Sequence, residues 1–182
     1  ILLPGRITGW KGHATLIQAI ADVIKNIQNK IEVIFVGPVD NLYLKKVLKD
    51  QIFDLDMANM FHFIGSSNEM ENMYALSDIV ISSSTDPEAF GRIAVEGQAM
   101  GKFVIASNHG GSKETIINNK TGYLYSPTNY KELSQMIIKA ITENKHTSEE
   151  VSKLSKNNVR ENYSLEQMCV ETLKFYKTIL GF

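Results

Sequence analysis

Asp86-Pro87-Glu88-Ala89-Phe90-Gly91-Arg92-Ile93-Ala94-Val95-Glu96 is the stretch on which the reading of this chain turns. Ahead of it runs Ile79-Val80-Ile81-Ser82-Ser83-Ser84, apolar and then polar, the pattern of a buried strand reaching the edge of a sheet. After it, Ile93, Val95, Gln98, Ala99 and Met100 predict a short helix, with Pro87 and Gly91 marking the turn between the two elements. The first turn of a helix has N–H groups without intrahelical partners, here those of Gly91, Arg92 and Ile93, and such a start binds anions. Glu88 falls in the loop and Glu96 inside the helix, so two acids flank an anion cradle. That combination suits an anionic ligand that also carries hydroxyls.

Outward from this unit, apolar strands alternate with amphipathic helices, the mark of a parallel sheet covered on both faces. Strands are predicted at 1–7, 31–36, 60–64, 79–83, 103–106 and 123–125. A first helix carries Leu16, Ile17, Ile20, Val23, Ile24 and Ile27 on one stripe, and a second carries Leu44, Val47, Leu48, Ile52 and Leu55. Ser66-Ser67-Asn68 reads as the cap of a third, starting at Glu69; Tyr130, Leu133, Met136 and Ile137 belong to a later one. The last helix, 164–180, repeats Leu165, Met168, Cys169, Thr172, Tyr176 and Ile179 at helical spacing, a stripe of the kind that packs into a core. The expected fold is α/β, a Rossmann-like parallel sheet of about six strands with helices on both faces. Right-handed crossovers then put the ligand outside the carboxyl ends of the strands.

The loops at those ends carry the other candidates. Gly5-Arg6-Ile7-Thr8-Gly9-Trp10-Lys11-Gly12 places Arg6 and Lys11 at the ligand edge, with Gly9 and Gly12 letting the backbone turn. Two cations there can neutralise an anion such as a diphosphate. Val36-Gly37-Pro38 and Ile64-Gly65 end the second and third strands, and Asn108-His109-Gly110-Gly111 follows the fifth. The adjacent pair Gly110-Gly111 predicts backbone packed closely against something bulky. His62 is expected in the core or at its edge and His146 in solvent; neither receives a role, nor does His109.

With 182 residues the chain suits one domain, and a net charge of −1 advertises no nucleic-acid partner. No apolar run reaches the roughly 20 residues of a membrane helix, and no signal-peptide pattern opens the chain. The single cysteine, Cys169, excludes an internal disulfide and fits a reducing cytosol. An excess of lysine over arginine, with abundant Ile and Asn, fits an AT-rich bacterial genome. No His/Cys cluster has metal-binding spacing, so no essential metal is expected.

The string Pro87-Glu88-Ala89-Phe90-Gly91, continued by Glu96-Gly97-Gln98-Ala99-Met100-Gly101-Lys102-Phe103-Val104-Ile105-Ala106, resembles the E-x7-E signature of retaining nucleotide-sugar glycosyltransferases of family 4. These are the group 1 enzymes of the GT-B fold. The resemblance covers nearly all of 1–182 as one nucleotide-sugar-binding domain, the second half of such an enzyme. The start at Ile1-Leu2-Leu3, without methionine, leads to the expectation of a domain cut from a longer protein, with helix 164–180 crossing toward the other half.

The resemblance implies that Arg6 and Lys11 hold the donor phosphates, that Glu88 meets the transferred sugar, and that Glu96 accepts from the ribose hydroxyls. It further implies donor contacts at Phe90, Gly91, Arg92, Ile93, Gly9, Gly110, Gly111, Ile64 and Gly65, with an acid at Glu114. The donor would be a UDP- or GDP-linked sugar. The acceptor, a glycan or lipid-linked molecule, would come through the absent N-terminal half. The implied setting is bacterial cell-surface polysaccharide synthesis, cytoplasmic or at the inner face of the membrane, without a cofactor. Two rivals stay open, a GT-B nucleotide-sugar epimerase and a non-catalytic nucleotide-binding module. A nicotinamide-linked enzyme is excluded because no G-x-G-x-x-G follows the first strand.

Overall fold

The computed structural model describes residues 1–181. Six strands, β1 (Leu2–Pro4), β2 (Val33–Val36), β3 (Phe61–Gly65), β4 (Ile79–Ser82), β5 (Phe103–Ser107) and β6 (Gly122–Tyr125), form one sheet. Their order is β3-β2-β1-β4-β5-β6, and every pair is parallel. The helices are α1 (His13–Asn26), α2 (Leu42–Asp54), α3 (Met70–Leu76), α4 (Arg92–Ala99), α5 (Ser112–Thr115), α6 (Tyr130–Thr142), α7 (Glu149–Asn162) and α8 (Leu165–Leu180).

Side chains alternate across the sheet with the two-residue period of a strand. Leu3, Phe35, Ile79, Ile81, Phe103 and Ile105 face one layer, where Leu16 and Ile20 of α1, Leu48 of α2 and Ile137 of α6 close over them. Leu2, Val80, Val104 and Ala106 face the other, against Tyr74 of α3 and Ile93 and Ala94 of α4. Each large side chain buried this way stabilises the fold by roughly 1.5–3 kcal/mol. The chain winds outward from β1 to β3, then returns to β4 and winds the opposite way to β6. The connections after β1 and β4 therefore part company, opening a crevice at the carboxyl ends of those neighbouring strands.

Several predicted elements differ in detail. The strand expected over 1–7 ends at Pro4; beyond it the Gly5 N–H still donates to the Val36 carbonyl, and an isolated bridge joins Ile7 to Val39. Helix α3 begins at Met70, and the Ser67 hydroxyl accepts from the Glu69 N–H in the turn before it. Helix α7 was not anticipated, because its inward face is largely polar: Val151, Ser155 and Asn158 are its buried residues. Asn158 donates to Gln98 Oε1 of α4 at 2.9 Å and to the Thr115 carbonyl at 3.1 Å, a polar seam invisible to hydrophobic periodicity. His62 is half exposed and sits 2.8 Å from Glu32, outside the core. His146 is tied to the Ala140 carbonyl.

The largest correction concerns α8. Its stripe was expected to be core, yet no residue of the helix is buried, and Leu165 and Ile179 are 68% and 64% exposed. The periodicity of α8 is real, but no other described element covers its apolar face.

His13, the first residue of α1, is 2% exposed and meets the Phe35 ring edge-on at 4.9 Å. Neither ring nitrogen has a hydrogen-bond partner. Burial first, and the nearby Lys11 charge second, pull its pKa down from 6.5 to about 4. The unfolded chain therefore takes up this proton more readily than the folded one. The neutral form's contribution is complete above pH 6.5 and is lost as the pH falls toward 4. Urea denaturation should show that loss as about 3 kcal/mol over the window. His13→Leu should remove that share of the slope; an unchanged slope would mean that His13 is not the buried neutral group.

Candidate functional site

The loops that leave β1 and β4 are fastened together. The Ser83 hydroxyl lies within reach of the carbonyls of Lys11 at 3.0 Å and Gly12 at 3.1 Å. The Thr85 N–H donates to the Trp10 carbonyl at 2.7 Å. Gly12 makes this approach possible: its φ is +72°, and a Cβ there would fall 1.8 Å from the Ser83 carbonyl oxygen.

This fastening sets Lys11 against Glu88. The Lys11 ammonium lies 2.8 Å from Glu88 Oε1, with the two side chains only 12% and 15% exposed. The Ser84 hydroxyl donates to the same oxygen. Both donors converge on Oε1, so Oε2 of Glu88 keeps its acceptor capacity, and Lys11 spends one of its three N–H donors. His109 Nε2 is 2.8 Å from the Ser84 carbonyl, which can only accept, so that nitrogen carries the proton. His109 thereby pins the loop that holds Glu88.

Glu96 is held from two sides on α4. The Tyr74 hydroxyl donates to its Oε2 at 2.7 Å, and Arg92 donates to its Oε1 from Nε at 3.2 Å and from a terminal nitrogen at 2.8 Å. Gly91 caps α4 with φ +79° and no side-chain cap. The opening N–H groups of the helix are thus left for an anion. Arg6 stands on the opposite wall, 3.5 Å from Asp40 and largely exposed, a loose tether worth little by itself.

Arg6, Lys11, Glu88, Phe90, Gly91, Arg92, Ile93 and Glu96 all line one open cleft of about 510 Å³, at the crevice between β1 and β4. The other five candidates lie elsewhere. Gly9 has open space around its backbone. Gly110 and Gly111 pack behind the motif, where a Cβ would fall 2.4 Å from the Glu88 carbonyl oxygen and 2.3 Å from that of Phe90. The bulky neighbour predicted for this pair is thus the motif's own backbone, and the Gly111 N–H donates to Glu88. Ile64 and Gly65 end β3, two strands from β1, and the Gly65 carbonyl accepts from Gly37. Ile64 lines a larger hollow of about 610 Å³ beside Phe53, Phe61 and His62. That hollow lacks the helix start and the convergent ion pairs of the cleft, so size does not make it the site. Glu114 contributes its carbonyl, which accepts from Tyr163, and the only Asp-x-Asp string, Asp54-Leu55-Asp56, lies at the end of α2 and outside the cleft.

Sequence reasoning missed Ser84, Tyr74 and Trp10. Ser84 had one signal, a hydroxyl four residues before Glu88; Tyr74 had none, being 22 residues from its partner. Trp10 lines the cleft, with the Lys11 ammonium 4.3 Å from its ring centroid.

At the crevice of a doubly wound parallel sheet, a helix start with open N–H groups, three cations and two anchored carboxylates thus come together. The chain belongs to the family of glycosyl transferases group 1, whose family model matches residues 1–160. It is 31% identical to a lipopolysaccharide 1,2-N-acetylglucosaminetransferase of Salmonella typhimurium, over 92% of this chain and 45% of the relative. A glycosyltransferase from Rickettsia africae superposes with a TM-score of 0.90 at 36% identity, over 98% of this chain and 47% of that one. HepE from Anabaena, crystallised in complex with UDP, superposes at 0.85 with 28% identity, over 95% and 48% of the two chains. The chain thus spans about half the length of the relatives it matches.

The fastened loops make a direct prediction. Gly12→Ala must separate Ser83 from Lys11 and should lower the melting temperature by at least 2–4 °C, the change that about 1 kcal/mol produces in a chain of this size. Gly9→Ala, with nothing within 4 Å, should stay within about 0.5 kcal/mol of the parent. Equal effects of the two changes in calorimetry would contradict the close approach at Gly12.

Proposed function

We propose that this chain is the donor-binding half of a retaining glycosyltransferase, which moves a sugar from a nucleoside-diphosphate sugar to an acceptor. The observation that carries the reading is the convergence in one cleft of the Lys11–Glu88 pair, Arg6, Glu96 and the start of α4. The complexes of Anabaena HepE with UDP and UDP-glucose support a nucleotide-sugar ligand. The Salmonella relative supports a place in lipopolysaccharide or other cell-surface glycan synthesis. A further relative, a phosphatidylinositol monomannoside mannosyltransferase of Mycobacterium tuberculosis, supports a lipid-linked acceptor; such an acceptor would call for peripheral association of the whole enzyme with the inner membrane face. No described helix is long and apolar enough to cross a membrane.

In this reading the bond between the anomeric carbon and the diphosphate breaks, and negative charge grows on the leaving phosphate. Arg6, Lys11 and the N–H groups at the start of α4 are preorganised to stabilise that charge. Glu96 accepts from the ribose hydroxyls, and the unengaged Oε2 of Glu88 faces the sugar. Domain 1–182 supplies the donor site only, so by itself it binds donor and scarcely turns it over. The uncovered apolar stripe of α8 supports a crossing of that helix to the other half, which would bring the acceptor.

Titration of the chain with UDP, GDP and ADP tests the reading and identifies the base. Arg6→Ala and Lys11→Ala should each weaken the preferred diphosphate by about 1.5–3 kcal/mol, the scale of a hydrogen bond to a charged group, and spare the nucleoside. Equal losses for nucleoside and diphosphate would remove both cations from the phosphate site.

A further inference from the structure

Of the two groups that hold Glu96, one is rigid and one is not. Arg92 reaches it from one turn earlier on the same helix, and its side chain is 82% exposed. Such an i,i+4 pair at a surface is mobile and weakly stabilising. Tyr74 reaches it from a different helix, α3, with the whole residue only 3% exposed. Its ring belongs to the core layer with Leu2, Val80, Ile93 and Ala94, so the hydroxyl is delivered to Glu96 from a fixed point. Around it on α3, Glu71, Asn72, Ala75 and Leu76 are exposed, and Tyr74 is the helix's one buried residue. Burial, then the hydrogen bond to Glu96, push its ionisation well above the usual range, which keeps the O–H in place as a donor.

We propose that Tyr74 is the positioning residue for ribose recognition: its hydroxyl fixes the Glu96 carboxylate so that the remaining lone pairs meet the ribose diol. This deepens the reading of the cleft as a nucleoside-diphosphate site and rests on it. A carboxylate can accept about four hydrogen bonds; Tyr74 takes one on Oε2 and Arg92 takes two on Oε1, so one position on Oε2 stays open to a ribose hydroxyl, and the exposed Arg92 can swing off Oε1 to admit the second. A carboxylate free to rotate would have to be ordered by the ligand, and that cost would fall on ribose binding alone. Tyr74 touches no ligand in this account; it acts through Glu96.

The probes are UDP and GDP, each compared with its 2′,3′-dideoxy counterpart, titrated into the parent chain and into Tyr74→Phe. The substitution keeps the ring in the core and removes only the hydroxyl. The parent should prefer the ribonucleotide by about tenfold or more, as a diol hydrogen-bonded to a charged group requires. Tyr74→Phe should cut that preference about threefold to tenfold, by weakening the ribonucleotide and leaving the dideoxy form unchanged. In a Glu96→Gln background, Tyr74→Phe should have no further effect on the preference. An equal loss for both sugars, or an undiminished preference in Tyr74→Phe, would reduce Tyr74 to a structural residue and overturn the proposal. A parent chain that binds diphosphates without preferring the ribose would instead overturn the assignment of Glu96, and this inference with it.

Discussion

The contact between the loop after β1 and the loop after β4 is the constraint on which the site depends. Ser83 offers one hydroxyl to the carbonyls of Lys11 and Gly12, and Thr85 binds Trp10 next door. Sheet topology alone opens a crevice between these strands; it does not close the distance between a cation on one loop and an acid on the other. The fastening does, and the Lys11–Glu88 pair at 2.8 Å is its consequence. Behind it, Gly110 and Gly111 let the next loop press against the motif's backbone, and His109 ties that loop to Ser84. Glu88 is therefore fixed by Lys11 from the loop after β1, by the loop after β5 packed behind it, and by Ser84 of its own loop.

The electrostatics of the cleft follow one pattern. Each cation faces an acid: Arg6 with Asp40, Lys11 with Glu88, and Arg92 with Glu96. Such pairing holds the cations in place before an anion arrives, at little cost in reorganisation. The pairs differ in stiffness. Lys11–Glu88 is largely buried and firmly set, while Arg6–Asp40 is exposed and long, so Arg6 is the freer of the two to turn.

The sheet was legible because buried parallel strands read as apolar runs, and all six predicted strands occur. The central unit was legible because strand, turn residues and helix succeed one another between Ile79 and Ala99, and eight of the candidates meet in one cleft. Legibility failed where contacts are polar or distant. Helix α7 packs through Asn158 and Gln98, which no hydrophobic pattern records. Tyr74 reads as one more apolar residue until the fold brings it to Glu96. In α8 the pattern was read correctly as amphipathic, but periodicity says which face is apolar and not what covers it.

The most direct measurement is a crystal structure of the chain with UDP or GDP bound. The account requires the diphosphate within hydrogen-bond reach, about 3 Å, of Arg6, Lys11 and the first N–H groups of α4. It also requires the ribose on Glu96. A nucleotide seated instead in the hollow beside Phe53, Phe61 and His62, with the Lys11–Glu88 cleft empty, would contradict it.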